Sequence, residues 1–149
     1  MHFPDLTPYT NYLLTPVERV QNVGWLDANA PFVTGSAGAV LLEKLERIIL
    51  SSGTTDFHVN RLRSARECDL SAPCGKVSTA GGVLLGWSEL WIPRPDSATF
   101  FASPSLVYHY IAVHGYEPPR EFSQAIEAID LTIPFNGQQK YLELVAGHF

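Results

Sequence analysis

Eleven prolines spread along 149 residues set the tightest limit on what this chain can form. Proline removes a backbone hydrogen-bond donor and restricts the residue before it, so each proline ends or interrupts a regular element. Pro4, Pro8, Pro16 and Pro31 divide the first 35 residues into short pieces. Eleven glycines add further turn positions. We therefore expect many turns and short elements in place of a helical bundle.

The clearest regular element is an amphipathic helix predicted over residues 38–51, GAVLLEKLERIILS. Leu41, Leu45 and Ile48 recur at spacings of three and four, which places them on one apolar face of a helix. The SSG that follows ends the pattern, because glycine readily adopts the left-handed conformation found after helix C-termini. We expect the apolar face of this helix to pack on the core.

A β-hairpin is predicted over residues 83–102. VLLGWSELWIP supplies the first strand at 83–92, and ATFFAS supplies the second at 98–102. Pro95 and Asp96 between them are typical turn residues. Large apolar side chains alternate onto both faces of the first strand, so we expect both faces of the hairpin to be covered at least in part.

Two further helices are predicted after the hairpin, over residues 104–114 and 119–129. Ser103 and Pro104 have the residue types of a helix cap and first helical position, and Gly115 is a typical end. The second helix, in PREFSQAIEAI, carries its own apolar stripe.

The two ends of the chain are predicted from local signals. Residues 130–149 are expected to form strand, turn and strand, because Phe135-Asn136-Gly137 is a strong tight-turn signal. TPVERV, near the N-terminus, is interpreted as a short helical turn capped by Thr15. The whole chain, 1–149, is thus expected to be a single α+β domain. It would pack a small antiparallel sheet with three helices and carry residues 130–149 as a C-terminal extension.

Composition and charge narrow the classes of function. An apolar fraction of 46% with 17% charged residues argues against disorder. Ten Lys and Arg residues and a net charge of −5 argue against nucleic-acid binding, and the mixed-charge run around Arg61, Arg63 and Arg66 is interpreted as a solvated turn. The sequence shows neither a secretory signal nor an apolar run of about 20 residues. Two cysteines are too few for a disulfide-stabilised secreted fold, so we expect a cytoplasmic protein without membrane contact.

Residues of metal-ligand type suggest a possible zinc site. His58, Cys68, Cys74 and a helical histidine, His109 or His114, are the right types for four-coordinate zinc. Cys68 and Cys74 are spaced more widely than paired zinc ligands usually are, so free cysteines in a loop are the alternative. On a regular helix, a spacing of five places His109 and His114 roughly 140° apart around the axis. Both rings would then reach one metal only if the helix frays near its C-terminus. Otherwise His114 borders the core, and His109 is exposed or packs against the hairpin.

Signals for catalysis are weaker. Cys74 lacks both a clear helix N-terminus and a family signature, which are the usual marks of a nucleophilic cysteine. TGSAG at residues 34–38 precedes a helix but lacks the lysine of a nucleotide-binding loop. We therefore lean towards a protein without catalytic activity.

Glu89 is the single acid in an otherwise apolar strand, between Trp87 and Trp91 on one face. One interpretation is a carboxyl in an apolar setting, which would have a raised pKa or would pair with a basic residue. The other is a strand-edge residue that faces solvent. Trp25 is interpreted as an aromatic anchor of the core. Trp25, Glu89, Trp91 and His109 are the candidate residues for binding.

Several segments resemble a family of small uncharacterised bacterial proteins. They are FPDLTPY, NVGWLD, PFVTG, the FH at residues 57–58, SELWIP and FASPSLVYHYIAVHGYEPPREFSQAI, in that order over most of residues 1–129. The resemblance implies a metal site in many relatives, in which the histidine matching His58 is followed by a Cys-x-x-Cys pair. Here VNRLR follows His58 instead, with Asn60 at a cysteine position. Cys68 and Cys74 then replace that pair, or the site is lost.

Two functions remain open at the level of sequence. The first is a cytosolic protein that acts by binding another protein, of an immunity or accessory type. Its net charge of −5 suits a basic partner such as a nuclease toxin. The second is a zinc-binding module or metal-dependent enzyme that uses His58, Cys68, Cys74 and a helical histidine.

Overall fold

The computed structural model describes residues 2–36, 38–70, 75–96 and 98–149. In chain order its elements are β1 (Pro8–Tyr9), β2 (Val17–Asn22), α1 (Ala39–Leu50), β3 (Thr55–Asp56), β4 (His58–Val59), β5 (Glu89–Pro93), β6 (Phe100–Pro104), α2 (Val107–His114), α3 (Arg120–Ala128), β7 (Phe135–Asn136) and α4 (Gly137–Val145). None of the helices in these ranges combines the length and apolarity that crossing a bilayer requires.

The strands form two sheets. Five of them make a mixed sheet in the order β1-β2-β6-β5-β4, in which β2 runs parallel to β6 and the other neighbours are antiparallel. β3 and β7 form a separate two-stranded parallel sheet. The α+β class is confirmed. The small antiparallel sheet with three helices is wrong, because the described residues contain these two sheets and four helices.

The parallel strand β2 stands where TPVERV predicted a helical turn. Val17 and Val20 are buried, and Val20–Asn22 pairs with Phe100–Ala102 of β6. β-branched valines favour a strand when a pairing partner is present. That partner lies far along the chain, so the capping signal around Thr15 carried no information about it.

The predicted hairpin exists in a shorter form, because β5 begins only at Glu89. Its register pairs Glu89 with Pro104 and Pro93 with Phe100. Successive side chains point to opposite faces of the sheet. Leu90, Ile92 and Phe101 accordingly join one hydrophobic cluster, and Trp91, Phe100 and Ala102 join the other. Both faces of the hairpin are covered, as the alternation predicted.

Three helices pack on the first of these clusters. α1 buries Leu41, Leu45 and Ile48, as the spacing predicted. α3 buries Phe122 and Ile126 in the same cluster. α2 starts at Val107 and not at residue 104, because the backbone there still belongs to β6. The helices α1, α2 and α3 thus form the layer that positions the helical histidines.

The C-terminal segment is a strand followed by a helix, so the predicted strand, turn and strand are wrong. Asn136 is the N-cap of α4, and its side-chain oxygen accepts from the backbone N–H of Gln139 at 3.0 Å. An Asn-Gly pair suits a tight turn, but asparagine is equally favoured as a helix cap. Tyr141 and Val145 of α4 are buried in the second cluster. The assignment of residues 130–149 as an extension remains a prediction.

Candidate metal centre

Cys68 is positioned by the loop between β4 and β5. Its backbone N–H donates to the carbonyl of Gly75 at 3.3 Å, and the two residues form an isolated antiparallel bridge. Two residues earlier, the N–H of Arg66 donates to the carbonyl of Gly86 at 2.9 Å. The Cys68 side chain is only 2% exposed and belongs to the main hydrophobic cluster. The backbone hydrogen bonds of Cys68 and Arg66 therefore hold the thiol inside the protein.

His109 and His114 both belong to α2, which ends at Gly115. Gly115 has a φ of 69°, the left-handed conformation expected after a helix C-terminus. His109 is 9% exposed, and His114 is partly buried in the last helical position. The two rings lie edge to face, with centroids 4.9 Å apart, and their Nε2 atoms are 3.2 Å apart.

The expectation that these two rings point apart is wrong. The angle of roughly 140° described directions from the helix axis, and it ignored the length and tilt of the side chains. Side chains on a helix lean towards its N-terminus and over the preceding turn. From the last position of α2, the His114 ring can therefore reach back to meet the His109 ring.

Cys68, His109 and His114 form a three-membered cluster. Cys68 Sγ lies 3.4 Å from His114 Nε2, and one ligand atom from each residue lies within 4.8 Å of the others. The backbone N–H of Leu70 also donates to Cys68 Sγ at 3.4 Å. Two imidazole nitrogens and one sulfur thus converge on one point from a helix and a loop.

Burial controls the charge of one ring in this cluster. The pKa of His109 is lowered, first because burial disfavours the cationic ring and second because of its proximity to His114. A neutral imidazole has a lone pair on one nitrogen, and that lone pair is what a metal ion binds. The environment of His109 therefore suits a ligand.

His58 does not join this cluster. Its Nδ1 lies 2.6 Å from the hydroxyl oxygen of Ser88, and its Nε2 lies 2.7 Å from the carbonyl oxygen of Ile49. Both ring nitrogens therefore have partners within the protein. Cys74, the other residue of the predicted zinc site, lies outside the described residues, and its role remains a prediction.

Glu89 lies at a different place, among four donors that surround its carboxyl group. Tyr9 donates to Oε1 at 2.7 Å, and the side chains of Asn11 and Asn60 donate to Oε2 at 3.1 and 2.9 Å. Trp91 Nε1 is a longer donor to Oε1, at 3.4 Å. Burial nonetheless raises the pKa of Glu89, because desolvation outweighs these hydrogen bonds. Glu89 therefore lies inside the protein, and its interpretation as a strand-edge residue that faces solvent is wrong.

The aromatic binding candidates are part of the interior. Trp25 is buried and donates from Nε1 to the carbonyl of Ala102 at 3.0 Å. Trp91 is fully buried between the rings of Tyr9 and Tyr141. Trp25 is thus the core anchor that the sequence indicated. A binding role for either tryptophan stays a prediction.

Comparison with known proteins places the chain in a family. Residues 1–127 match the family model described as a domain of unknown function, DUF7919. The chain belongs to the DUF7919 family. This confirms that it is a member of an uncharacterised family, and the match includes Cys68, His109 and His114. Searches of curated proteins and of solved structures found no match.

Sequence reasoning missed the hydrogen-bonded pair formed by His58 and Ser88. Ser88 is buried just before β5, and His58 begins β4. The two residues are 30 apart in sequence, so no local motif links them. The alternation of apolar residues along 83–92 places Ser88 opposite Trp87 and Glu89, but it gives no sign of a histidine beside it.

Proposed function

We propose that this DUF7919 domain binds a divalent transition metal, zinc foremost, through Cys68, His109 and His114. The observation that carries the proposal is the convergence of one sulfur and two ring nitrogens within 4.8 Å of one another. Thiolate and imidazole are the ligand types of zinc sites, whereas magnesium and calcium prefer oxygen.

Two of the three ligand separations within the cluster match those of tetrahedral coordination. Zinc–nitrogen bonds of about 2.0–2.1 Å and a zinc–sulfur bond of about 2.3 Å imply ligand separations of about 3.3 Å between nitrogens and about 3.5 Å between sulfur and nitrogen. The two Nε2 atoms are 3.2 Å apart, and Cys68 Sγ is 3.4 Å from His114 Nε2. The third pair, Cys68 Sγ and a ring nitrogen of His109, is within 4.8 Å, so a zinc ion fits these ligands once the Cys68 and His109 side chains adjust.

Hydrogen bonding alone explains the cluster less well. An imidazole nitrogen carries either one proton or one lone pair in the ring plane, so it makes one good hydrogen bond in that direction. His114 Nε2 has both Cys68 Sγ and His109 Nε2 within 3.4 Å. A metal ion satisfies all three atoms at once.

Metal analysis of protein purified without a histidine tag tests this proposal. We expect about one zinc per chain. Cys68→Ser, His109→Ala and His114→Ala should each weaken zinc binding by more than about 100-fold. That is more than the loss of a residue that only supports a ligand through a hydrogen bond costs. His148→Ala is the matched control, because His148 lies at the C-terminal end, where its Nδ1 contacts Thr15. Zinc-free protein after growth with added zinc, or unchanged binding in the three variants, would contradict the proposal.

The fourth coordination position distinguishes a structural from a catalytic zinc. Structural sites are closed by a fourth protein ligand, whereas catalytic sites keep a water there. Cys74 was predicted as a ligand, and it directly precedes Gly75, the backbone partner of Cys68. If Cys74→Ser lowers zinc affinity as strongly as Cys68→Ser, the site is closed and structural; unchanged affinity favours an open position.

The second candidate function is binding of a basic protein, of an immunity or accessory type. A net charge of −5 supports it. Two exposed apolar side chains, Leu14 and Phe149, also support it, since the backbone of Leu14 bonds the residue before Phe149. Leu14 is 84% exposed and its N–H donates to the carbonyl of His148, beside Phe149, which is 65% exposed. Co-purification from the native host should recover a stoichiometric basic partner that salt releases. Leu14→Ser combined with Phe149→Ser should abolish the complex and leave zinc content unchanged; recovery of free protein alone would contradict this function.

A further inference from the structure

We propose that Ser88 and His58 form a nucleophile and base that cleave carboxylic esters with a small apolar acyl group. The two side chains meet in a cavity that is separate from the cluster of Cys68, His109 and His114. This proposal does not depend on metal binding, so the two can fail independently.

The hydrogen bonds of His58 fix the direction of proton sharing. The carbonyl oxygen of Ile49 can only accept, so the Nε2 that lies 2.7 Å from it carries the proton and donates it. In the neutral ring Nδ1 is then the acceptor. The hydroxyl of Ser88, 2.6 Å from Nδ1, therefore donates to it. This is the arrangement in which a histidine can remove the proton of a serine nucleophile.

The Ile49 carbonyl corresponds to the third group of a catalytic triad, the one that orients the histidine. It holds the ring in the tautomer that accepts from Ser88, and it stabilises the imidazolium that forms when the serine proton is transferred. Ile49 is near the end of α1, whereas His58 and Ser88 belong to strand β4 and the residue before β5. The antiparallel pairing of β4 with β5 keeps the latter two side by side.

A cavity of about 320 Å³ opens onto this pair. Its volume lies at the lower end of the range of about 300–1,000 Å³ that is typical of small-molecule sites. Ile49, Leu62, Leu85 and Trp87 supply apolar walls, and Ser88 and His58 are part of the lining. Apolar walls around one serine–histidine pair suit a short acyl chain whose ester carbonyl is placed at Ser88.

Ser105 supplies a further polar group at the same cavity. Its hydroxyl oxygen accepts from the N–H of Gly86 at 2.9 Å, and its own N–H donates to the carbonyl of Ser88 at 3.0 Å. A hydroxyl that accepts one hydrogen bond still carries a proton that it can donate. We assign Ser105 as a donor to the oxygen that becomes negatively charged during attack.

The reaction balances with water as the only co-substrate. Ser88 Oγ forms a bond to the ester carbonyl carbon, the carbonyl electron pair moves onto oxygen, and the hydroxyl proton passes to His58 Nδ1. When the carbonyl re-forms, the bond to the alkoxy oxygen breaks and that oxygen takes the proton from Nδ1. Water then attacks the acyl-serine and gives its proton to Nδ1. The proton returns to Ser88 Oγ as the carboxylic acid leaves.

Covalent labelling of the wild-type protein is the first test. An alkyl fluorophosphonate loses fluoride when a nucleophilic serine attacks phosphorus, so peptide mapping should find the phosphonate on Ser88. His58→Gln, whose amide is not a base, should slow labelling by about 100-fold, the lower range for loss of general-base catalysis. The wild-type result decides even if a Ser88 variant fails to fold. Absence of a Ser88 adduct, or labelling at the same rate in His58→Gln, would overturn the proposal.

Turnover of p-nitrophenyl butyrate is the second test. Ser88→Ala should reduce hydrolysis to the buffer rate. Ser103→Ala should leave it unchanged, because Ser103 is also buried but its hydroxyl donates to the carbonyl of Pro104. Ser105→Ala should lower kcat more than it raises KM. Added chelator should have no effect on hydrolysis by protein that remains folded. Activity that survives Ser88→Ala, or that is lost with the metal, would exclude this pair as its source.

Discussion

Glu89 is buried with hydrogen-bond donors on both carboxyl oxygens. Tyr9 and Trp91 serve Oε1, and Asn11 and Asn60 serve Oε2. Each donor favours the ionised form, yet removal from water costs more than these bonds return, and the pKa of Glu89 is raised. The acid therefore ties together β1, β4 and β5 at the expense of a pH-dependent stability.

Replacement of Glu89 by glutamine should change how stability responds to pH. Because the folded pKa lies above the unfolded one, the native protein holds a proton at pH values where the unfolded chain has lost it. The contribution of Glu89 to the free energy of unfolding is then largest below the ordinary glutamate pKa and falls as pH rises through the folded pKa, by at most about 1.4 kcal/mol per pH unit. Urea unfolding of wild type and Glu89→Gln over a pH series measures this contribution. The free energy of unfolding of the wild type minus that of the variant should fall as pH rises, and a rise would contradict the account.

Residue types were predictable from the sequence, whereas their partners were only partly so. Cys68 and the two helical histidines were candidates because thiolate and imidazole are the ligand types of zinc sites. His58 was grouped with them on type alone, and the structure gives it to Ser88 and Ile49 instead. Spacing along α2 gave the wrong relation between the rings, because it describes Cα directions and not the reach of a side chain.

The loop that carries Cys68 is held against the segment before β5 by a close backbone approach. Gly86 has a φ of 93°, and a Cβ atom built there would lie 2.3 Å from the carbonyl oxygen of Arg66. The same two residues share the hydrogen bond from Arg66 N–H to the Gly86 carbonyl. Any side chain at residue 86 must therefore push the strand-like stretch of residues 66–68 away from its place.

Gly86→Ala should destabilise the protein and weaken metal binding together. Gly82→Ala is the matched control: its φ of 86° carries a similar conformational cost of about 1–2 kcal/mol, but nothing lies within 4 Å of a Cβ there. The overlap at Gly86 should add about 1–3 kcal/mol and lower zinc affinity through Cys68. Equal unfolding free energies and equal zinc affinities for the two variants would show that the loop does not depend on this approach.

Elements with strong local patterns were predictable, and elements defined by distant partners were not. α1 and α3 lie where their apolar spacing placed them. β2 is a strand because β6 pairs with it, and α4 is a helix because its face covers Trp91, and neither cause is visible in a short window of sequence.

The whole molecule depends on residues beyond the family match, which ends at residue 127. α4 covers the second face of the mixed sheet, where Tyr141 and Val145 pack with Tyr9 and Trp91. Without them the Trp91 side of the sheet would be open to water. The extension predicted for residues 130–149 thus completes the second hydrophobic cluster in this chain.

A chain ending at residue 129 should be at least about 4 kcal/mol less stable than the full chain, since burial of a tyrosine and a valine is lost. That is a large part of the 5–15 kcal/mol of a typical domain. Within the full chain, Tyr141→Ala should cost about 3 kcal/mol, and the exposed neighbour Leu142 should tolerate alanine within about 0.5 kcal/mol. Urea denaturation checks all three, and a shortened chain as stable as the full one would show that α4 is dispensable.

X-ray absorption at the zinc edge tests the proposed metal site most directly. For untagged protein loaded with zinc, the first coordination shell should contain sulfur at about 2.3 Å and two imidazole nitrogens at about 2.0–2.1 Å. Cys68→Ser should remove one sulfur from that shell, and His114→Ala should remove one imidazole. A shell of oxygen and nitrogen without sulfur, or one that both substitutions leave unchanged, would show that zinc binds elsewhere and that the cluster of Cys68, His109 and His114 is not a metal site.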